Sequence, residues 1–482
     1  MELLWDFNLK LIFNLIIYFL KKIYYIIIKQ MSYSPALQYF CERLEGLSVG
    51  LFRLEPQNQS VGITPQSILR FTLPSNALCD IRAFALHFSA STDAGTGTIA
   101  HRLPNKIETL INRVEVSIGG VAVSAGSNFY NTLAHAKAVI DGDKDDAAKN
   151  HPELITTRDL NNYVDGVTLT NSETYPSGNG QAQFCVDNWL GFLGECEPRV
   201  LDTSLVGDIV ITIYLEQPNL CLTVSDDIAT AGDFATCAAG NANPTYTLNS
   251  VYSTIRCYSM ANGVYDNMIA EQMSQNGSLE VGFKQYFSFR DTNTGSTRYT
   301  VATQSLDRVI VAHHNNASPS GTTRAPVLAQ GYNGIGAQDS DRTLDFGKVK
   351  YLHPYSVFSQ PTPAAGTVCQ FEHQLNGAKF PQYRATKEDM LQIARLSSKL
   401  EGIKHNERMG LQQYVRNHFV TAIKLTLDAP NARYIQGLDT RSVSLNGYYN
   451  ILNMNGSKVV TLFCECTSSL LISAGRQIAI VQ

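Results

Sequence analysis

Four short stretches carry residue types whose spacing could support chemistry. His313-His314 is a histidine pair, and imidazole is the commonest protein ligand for metals. No carboxylate or cysteine stands beside it at ligand spacing, and it closes a strand-like run. It therefore reads as a solvated loop pair and not as a metal site. Cys464-Glu465-Cys466 is a Cys-x-Cys without a second Cys or His pair at zinc spacing. Residues i and i+2 share one face of a strand, so both thiols are expected in a core. Asp141-Gly142-Asp143-Lys144-Asp145-Asp146 opens like a calcium loop. The sixth position, which needs glycine, is Asp146, and the twelfth, which needs glutamate, is Pro152. A solvated acidic turn is the expectation. Gly331-Tyr332-Asn333-Gly334-Ile335-Gly336 is glycine-rich but has neither dinucleotide spacing nor a βαβ setting.

The sequence contains no His-Glu-x-x-His, no Walker-type loop and no Gly-x-Ser-x-Gly elbow. Paired carboxylates for sugar hydrolysis meet in space and not in sequence, so that reading stays open. Asn58, Asn276, Asn316 and Asn455 open glycosylation triplets, which carry weight only in a secreted chain. The sequence thus assigns no catalytic, cofactor-binding or metal-ligating residue, no cofactor and no small-molecule substrate.

Composition narrows the classes further. The chain has 482 residues, 44% hydrophobic and 17% charged, with a formal net charge of −4. That length suits two to four domains, and all-β domains lie at the large end of the size range. A charge content below the usual quarter suits a chain that buries much of its surface against neighbours. A net negative charge argues against a dedicated nucleic-acid binder. Of the ten cysteines, Cys79, Cys185, Cys257, Cys369 and Cys464 sit singly in apolar runs, as small buried hydrophobes do. Their irregular spacing gives no disulfide framework, so a reducing assembly compartment is expected.

The elements that must position these residues are mostly strands. Period-2 alternation is clear in four places. Val114, Val116 and Ile118 oppose Arg113, Glu115 and Ser117; Ile209, Ile211, Ile213 and Leu215 oppose Asp208, Thr212 and Glu216. Val281, Phe283, Phe287 and Phe289 oppose Glu280, Lys284 and Arg290; Ile423, Leu425 and Leu427 oppose Lys424 and Thr426. Segments 68–73, 81–88, 246–258, 299–302, 308–313, 368–375, 459–466 and 476–481 also read as strands. Short strands parted by polar, Gly-rich loops indicate antiparallel sandwiches. Helices are expected at 129–140, at 265–273, and at 387–401 behind the capping pattern Thr386-Lys387-Glu388-Asp389. Connections at 141–205, 217–245 and 314–365 exceed ordinary loop lengths and suit towers or clamps between subunits. Asn112-Arg113-Val114-Glu115-Val116 echoes Asp307-Arg308-Val309-Ile310-Val311, a hint that the two halves are duplicates.

Residues 1–30 differ from the rest. Leu11–Leu20 is apolar apart from Asn14, Lys21-Lys22 interrupts it, and Ile23–Ile28 resumes it. An uncharged span needs about 20 residues, more than this run offers. Three readings stand: an upstream extension before a start at Met31, a basic amphipathic inner arm, or a membrane anchor.

The segment Arg102-Leu-Pro-Asn-Lys-Ile-Glu-Thr-Leu-Ile-Asn-Arg-Val-Glu-Val-Ser-Ile-Gly-Gly120 resembles the first-domain core of double-jelly-roll major capsid proteins. Polinton-like viruses, virophages and polintons are the nearest group. Val206–Pro218, Tyr246–Met260, Tyr265 at the head of a linker helix, and the tail from Leu445 to Gln482 fit the same pattern, so the resemblance covers roughly residues 40–482. It implies an all-β fold of two tandem jelly rolls, eight-stranded antiparallel sandwiches with few short helices and long loops. The expected layout is a 1–30 extension, a first roll at 31–260, a linker helix at 261–278 and a second roll at 279–482. It implies a structural, non-enzymatic subunit of an icosahedral virion. Its partners would be itself as a homotrimer, neighbouring capsomers, penton or minor capsid proteins, and by non-specific contact the genome or an inner membrane. Two other classes remain. A carbohydrate-binding sandwich would show aromatic platforms, for which the chain offers two Trp, Trp5 and Trp189, and 23 Tyr. A minor vertex or spike protein of the same particles would be a single, shorter roll.

Overall fold

The structure, a computed structural model, describes residues 48–92, 99–102, 107–124, 128–141, 182–217, 223–226, 246–259, 264–314, 358–397, 411, 414–415, 418–426, 436–441, 445–473, 475 and 477–482. The 1–30 segment and Gly331–Gly336 lie outside these residues, as do Asp143–Asp146 and most of the three long connections. Leu51–Cys257 and Gln272–Gln482 form one compact unit; Met1–Gly50 and Tyr258–Glu271 form another, whose described part is the end of one strand, the start of another and helical backbone from Val264.

The strands of the first half are β1 (Ser48–Leu54), β2 (Ile68–Thr72), β3 (Leu78–Thr92), β4 (Ile99–Arg102), β5 (Ile111–Ile118), β6 (Val121–Ser124), β7 (Ala182–Val186), β8 (Val200–Asp202), β9 (Ile209–Leu215), β10 (Thr223–Asp226) and β11 (Tyr246–Ser259). Helices α1 (Tyr130–Asp141), α2 (Phe192–Glu195) and α3 (Thr203–Val206) interrupt them, and α4 (Val264–Asn276) follows. The second half has β12 (Ser278–Asn293), β13 (Ser296–Val301), β14 (Leu306–His313), β15 (Gln370–Leu375), β16 (Ala378–Ala385), α5 (Lys387–Leu396), β17 (Val420–Lys424), β18 (Leu445–Leu452), β19 (Lys458–Ser473) and β20 (Gln477–Val481).

Each half pairs its strands into two facing sheets. The first half gives β1-β11-β3-β7, with β8 beside β3, and β2-β9-β5-β6, while β4 and β10 form a separate ribbon. The second half gives β12-β19-β14-β17, with β20 beside β19, and β13-β18-β15-β16. Counting the eight main strands of each half in chain order, both halves read 1-8-3-6 and 2-7-4-5. This is the two-Greek-key connectivity of a jelly roll. The echo between 112–116 and 307–311 does not mark equivalent positions, because β5 is the fourth main strand of its half and β14 the third of its own. The repeat lies in topology, which Arg-Val spacing does not report.

Alternation sets the inward faces. Val114, Val116 and Ile118 of β5 and Ile209, Ile211, Ile213 and Leu215 of β9 are buried, with half-buried neighbours between them. Gly119 and Gly120, at φ 53° and 83°, make the tight β5–β6 turn, whose two central residues both need positive φ. The capping box at Thr386 and Asp389 opens α5 as its sequence pattern predicts. The strand expected at 422–427 instead ends at Lys424, and the 141–205 connection contains β7, α2, β8 and α3. Trp189, Phe192 and Leu193, within that connection, are buried in the first core.

The long ribbon β12–β19 joins the halves. It pairs without a break from Ser278↔Ser473 to Asn293↔Lys458. Val281, Phe283, Leu470 and Ile472 at one end belong to the first core. Cys464, Cys466, Leu462 and Val460 further along belong to the second, with Phe287 and Phe289 packed against it.

Candidate functional site: a buried charged seam

The sheet β12-β19-β14-β17 is covered on both faces. One face packs on β13-β18-β15-β16 through Val309, Val311, Leu462 and Cys464. The other meets α1, which the chain inserts between β6 and β7 of the first half; Leu133, Ala136 and Ile140 of α1 cluster there with Tyr286, Ile310, Ala312, Val420, Ala422 and Phe463. Every residue of β14 is consequently buried.

Arg308 points into this second layer and is fully buried. Its Nε donates to Glu465 Oε2 at 2.8 Å. Nη1 donates to Asp141 Oδ1 at 2.7 Å and to the Ser397 carbonyl, just past α5, at 2.9 Å. Nη2 donates to Asp141 Oδ2 at 2.8 Å and lies 2.7 Å from Glu465 Oε2. All five guanidinium N–H groups thus face acceptors drawn from α1, β19 and the end of α5. Beside it, Lys137 of α1 donates to the Tyr286 hydroxyl at 2.8 Å and lies 3.5–3.6 Å from Asp141, Glu465 and Glu195. Tyr286 donates in turn to Glu195 Oε2 at 2.6 Å. Burial alone would raise the Asp141 carboxyl, but the charges of Arg308 and Lys137 outweigh it and hold the group well below the usual carboxylate range. Burial works equally against the Arg308 cation, and Asp141 and Glu465 overcome it. Burial, then the Glu195 charge, drives the Tyr286 hydroxyl far up, so it stays a donor.

A second buried pair lies in the same sheet. Lys284 Nζ donates to Asp307 Oδ2 at 2.6 Å and Thr467 Oγ1 at 2.7 Å, and Ser305 Oγ donates to Asp307 Oδ1 at 2.8 Å.

The structure corrects three readings of single residues. His313 and His314 are buried, not solvated. His313 shares hydrogen bonds with the Phe419 carbonyl at 3.1 Å and the Tyr449 hydroxyl at 2.6 Å, and His314 with Thr461 Oγ1 at 2.8 Å. The run they close is a central strand covered on both faces, which is why neither side is wet. Asp141 is no solvated turn but the last residue of α1, held by Arg308. Lys284, expected on the polar face of its strand, is buried because Asp307 faces it. The expected inward position of Cys464 and Cys466 is what the structure has.

Among the described residues no group of three or more His, Cys, Asp or Glu side chains could hold a metal ion. One nucleophile-like arrangement escaped the sequence reading: His87 Nε2 lies 3.0 Å from Thr254 Oγ1 and 4.0 Å from Cys185 Sγ. These residues come from β3, β11 and β7, so no spacing motif could have found them. Burial, with the Asp187 charge nearby, pushes the Cys185 thiol up to about 12, which leaves it protonated at neutral pH. What the described geometry does chemically is hold charges against one another inside the fold. No residue of the seam was singled out for that role by sequence, because its partners are 157 and 167 positions apart.

No family model and no curated relative matches the sequence. Solved structures do match the fold. The PBCV-1 virus capsid subunit superposes with a TM-score of 0.54 at 12% identity, covering 91% of this chain and 97% of that one. PBCV-1 VP54, solved and fitted into a reconstruction of the virophage Sputnik, gives 0.52 at 12% identity with the same coverage. The fold is the double jelly roll. Its two rolls account for both 1-8-3-6 sheets, both 2-7-4-5 sheets and the strand-poor helical insertions described above. In this double jelly roll the seam lies where α1 of the first roll covers the β12-β19-β14-β17 sheet of the second.

Proposed function

We propose that the chain is the major capsid protein of an icosahedral DNA virus. It is a structural, non-enzymatic subunit of the virion, with its first roll at 31–260, a linker at 261–278 and its second roll at 279–482. Three copies form a pseudo-hexameric capsomer that contacts neighbouring capsomers and penton or minor capsid proteins. The observation that carries this reading is the seam. Two rolls of the same connectivity are fixed to each other by the β12–β19 ribbon, by α1 and by the Arg308 network, so that the pair moves as one block. A threefold repeat of such a block presents six similar sandwiches around a ring, a shape that tiles a shell. The two capsid structures named above share this fold along nearly their whole length, which supports the reading.

The test is the mass of the purified chain by light scattering. A stable species of three times 53.1 kDa is expected, and hexagonal capsomers by electron microscopy. A strict monomer at micromolar concentration that forms no capsomers would remove the proposal.

A further inference from the structure

Cys79 of β3 and Cys257 of β11 lie on adjacent strands of the β1-β11-β3-β7 sheet, side by side in the first core. Their sulfurs are 3.4 Å apart, inside ordinary van der Waals contact. Cys79 is fully buried and Cys257 is 3% exposed. The contrast with the other close pair is informative. Cys464 and Cys466 also share a face, yet Cys466 Sγ is directed at the Cys464 carbonyl at 3.7 Å. The Cys79 and Cys257 sulfurs are directed at each other. A disulfide needs two cysteine side chains that meet across neighbouring backbone segments, and the sulfur–sulfur contact between β3 and β11 supplies that meeting. Closing the sulfurs to roughly 2.05 Å is a shift that side-chain torsions can supply.

We propose that Cys79 and Cys257 are a modification site: a thiol pair that a small peroxide oxidant converts to a cross-strand disulfide once the chain leaves reducing surroundings. Cys257, the slightly exposed member, attacks the peroxide O–O bond, forms a sulfenic acid and releases water. Cys79 sulfur then attacks the Cys257 sulfur, the S–O bond breaks, and the oxygen leaves as a second water with the Cys79 proton. Both sulfurs are oxidised by one electron each, and one peroxide is reduced to two waters. Burial first, then the hydrogen bond to Cys257, pushes the Cys79 thiol up; burial pushes Cys257 up as well, but there the same contact works against the rise, which matches the order of attack. Burial makes the step slow, so a chain in a reducing compartment stays free. The bond would join residues 178 positions apart and close most of the first roll into one covalent loop. The inference stands on the core of the first roll and does not depend on the capsid reading.

The experiment treats the intact chain with hydrogen peroxide under native conditions, blocks free thiols, and maps peptides by mass spectrometry without reduction. A Cys79–Cys257 linked peptide lighter by two hydrogens is expected. The thermal midpoint should rise by several degrees and fall back on adding dithiothreitol, and Cys257→Ser should show neither response. The proposal is overturned if half-buried Cys185 is oxidised while Cys79 and Cys257 remain unlinked. It is overturned equally if the midpoint rises as much in Cys257→Ser. Should that variant fail to fold, the peptide map of the unaltered chain decides alone.

Discussion

The sheets β1-β11-β3-β7 and β12-β19-β14-β17 have the same strand order and opposite surroundings. In the first, β3 turns Ile81, Phe84, Leu86 and Phe88 inward, and Arg82, Ala85 and His87 are half-buried on its other positions. In the second, every residue of the corresponding strand β14 is buried. One connectivity therefore supports a half-wet sheet and one whose central strands, β14 and β19, are enclosed. What differs is α1, which the first roll lends to the second. Enclosure turns polar side chains from solvated ornaments into obligatory pairs, since a buried charge without a partner is far more costly than a wet one. The charged residues of the second sheet should then respond to substitution in a way their counterparts in the first do not.

The largest expected contrast is between two arginines on equivalent strands. Arg308→Ala strands Asp141 and Glu465 inside the fold, and loss of about 3–5 kcal/mol in urea unfolding is expected. Arg82, paired with Glu197 at 2.9 Å and about one-third exposed, should cost ~1 kcal/mol or less as Arg82→Ala. Equal losses at both positions would show that enclosure is not what sets the energetics. Next comes the apolar part of the same face. Ile310→Ala opens a cavity between β14 and α1 and should cost about 2–4 kcal/mol, whereas His87→Ala on the outer face of β3 should cost little.

Acid provides a third test. His373 is buried against the Tyr449 ring, with centroids 4.5 Å apart, and neither of its ring nitrogens finds a partner among the described residues. Burial pushes it down to about 3. His313 on the same core is held well below its usual range by burial and then by the Lys458 charge. The other titratable groups around them are His314, Tyr414, Tyr449, Cys369 and Glu372. A base held neutral in the fold takes up its proton in the unfolded chain first. The stability it contributes is complete above about pH 6.5 and is lost as pH falls from there toward 3. The slope is about 1.4 kcal/mol per pH unit for each histidine. Urea midpoints at pH 7 and 4.5 should diverge, and His373→Phe should flatten that divergence by one proton's worth. An unchanged slope would place the acid response elsewhere.

How much of this was legible in sequence follows from the same comparison. Strands with one wet face, such as β5 and β9, announce themselves through alternation, and most expected segments match observed strands to within a few residues. The enclosed sheet announces strands in the same way, at 280–290 and 422–427, but alternation does not report that both of its faces are covered. Lys284, Asp307, Arg308 and Glu465 sit in runs where a charge reads as the solvent side, and what buries them arrives from distant parts of the chain. Edge strand β16 escaped because Pro381 and the polar residues Lys379, Gln382 and Arg384 give it no clean period. β7, β8 and β10 are too short or too polar to stand out. His313 and His314 misled for the opposite reason: a strand end looks exposed unless the covering strand β17, with Phe419 before it, is known.

The smallest effect reaches the seam from its rim. α5 starts at the Thr386 capping box, and the carbonyl of Ser397, just beyond its last residue, accepts from Arg308. The C-terminal end of a helix carries partial negative charge, so a buried guanidinium there is favourable on both counts. Thr386 itself is remote from Arg308 along the helix, and Thr386→Ala removes only the side-chain half of the capping box. A loss of about 1 kcal/mol is expected. If α5 acts on the seam solely by holding the accepting Ser397 carbonyl in a fixed position, Thr386→Ala and Arg308→Ala should be non-additive. With Arg308 gone, fraying α5 no longer disturbs an Arg308 bond, and the double variant should lose less than the two singles together. Strict additivity would make α5 a bystander and leave the seam to Asp141 and Glu465 alone.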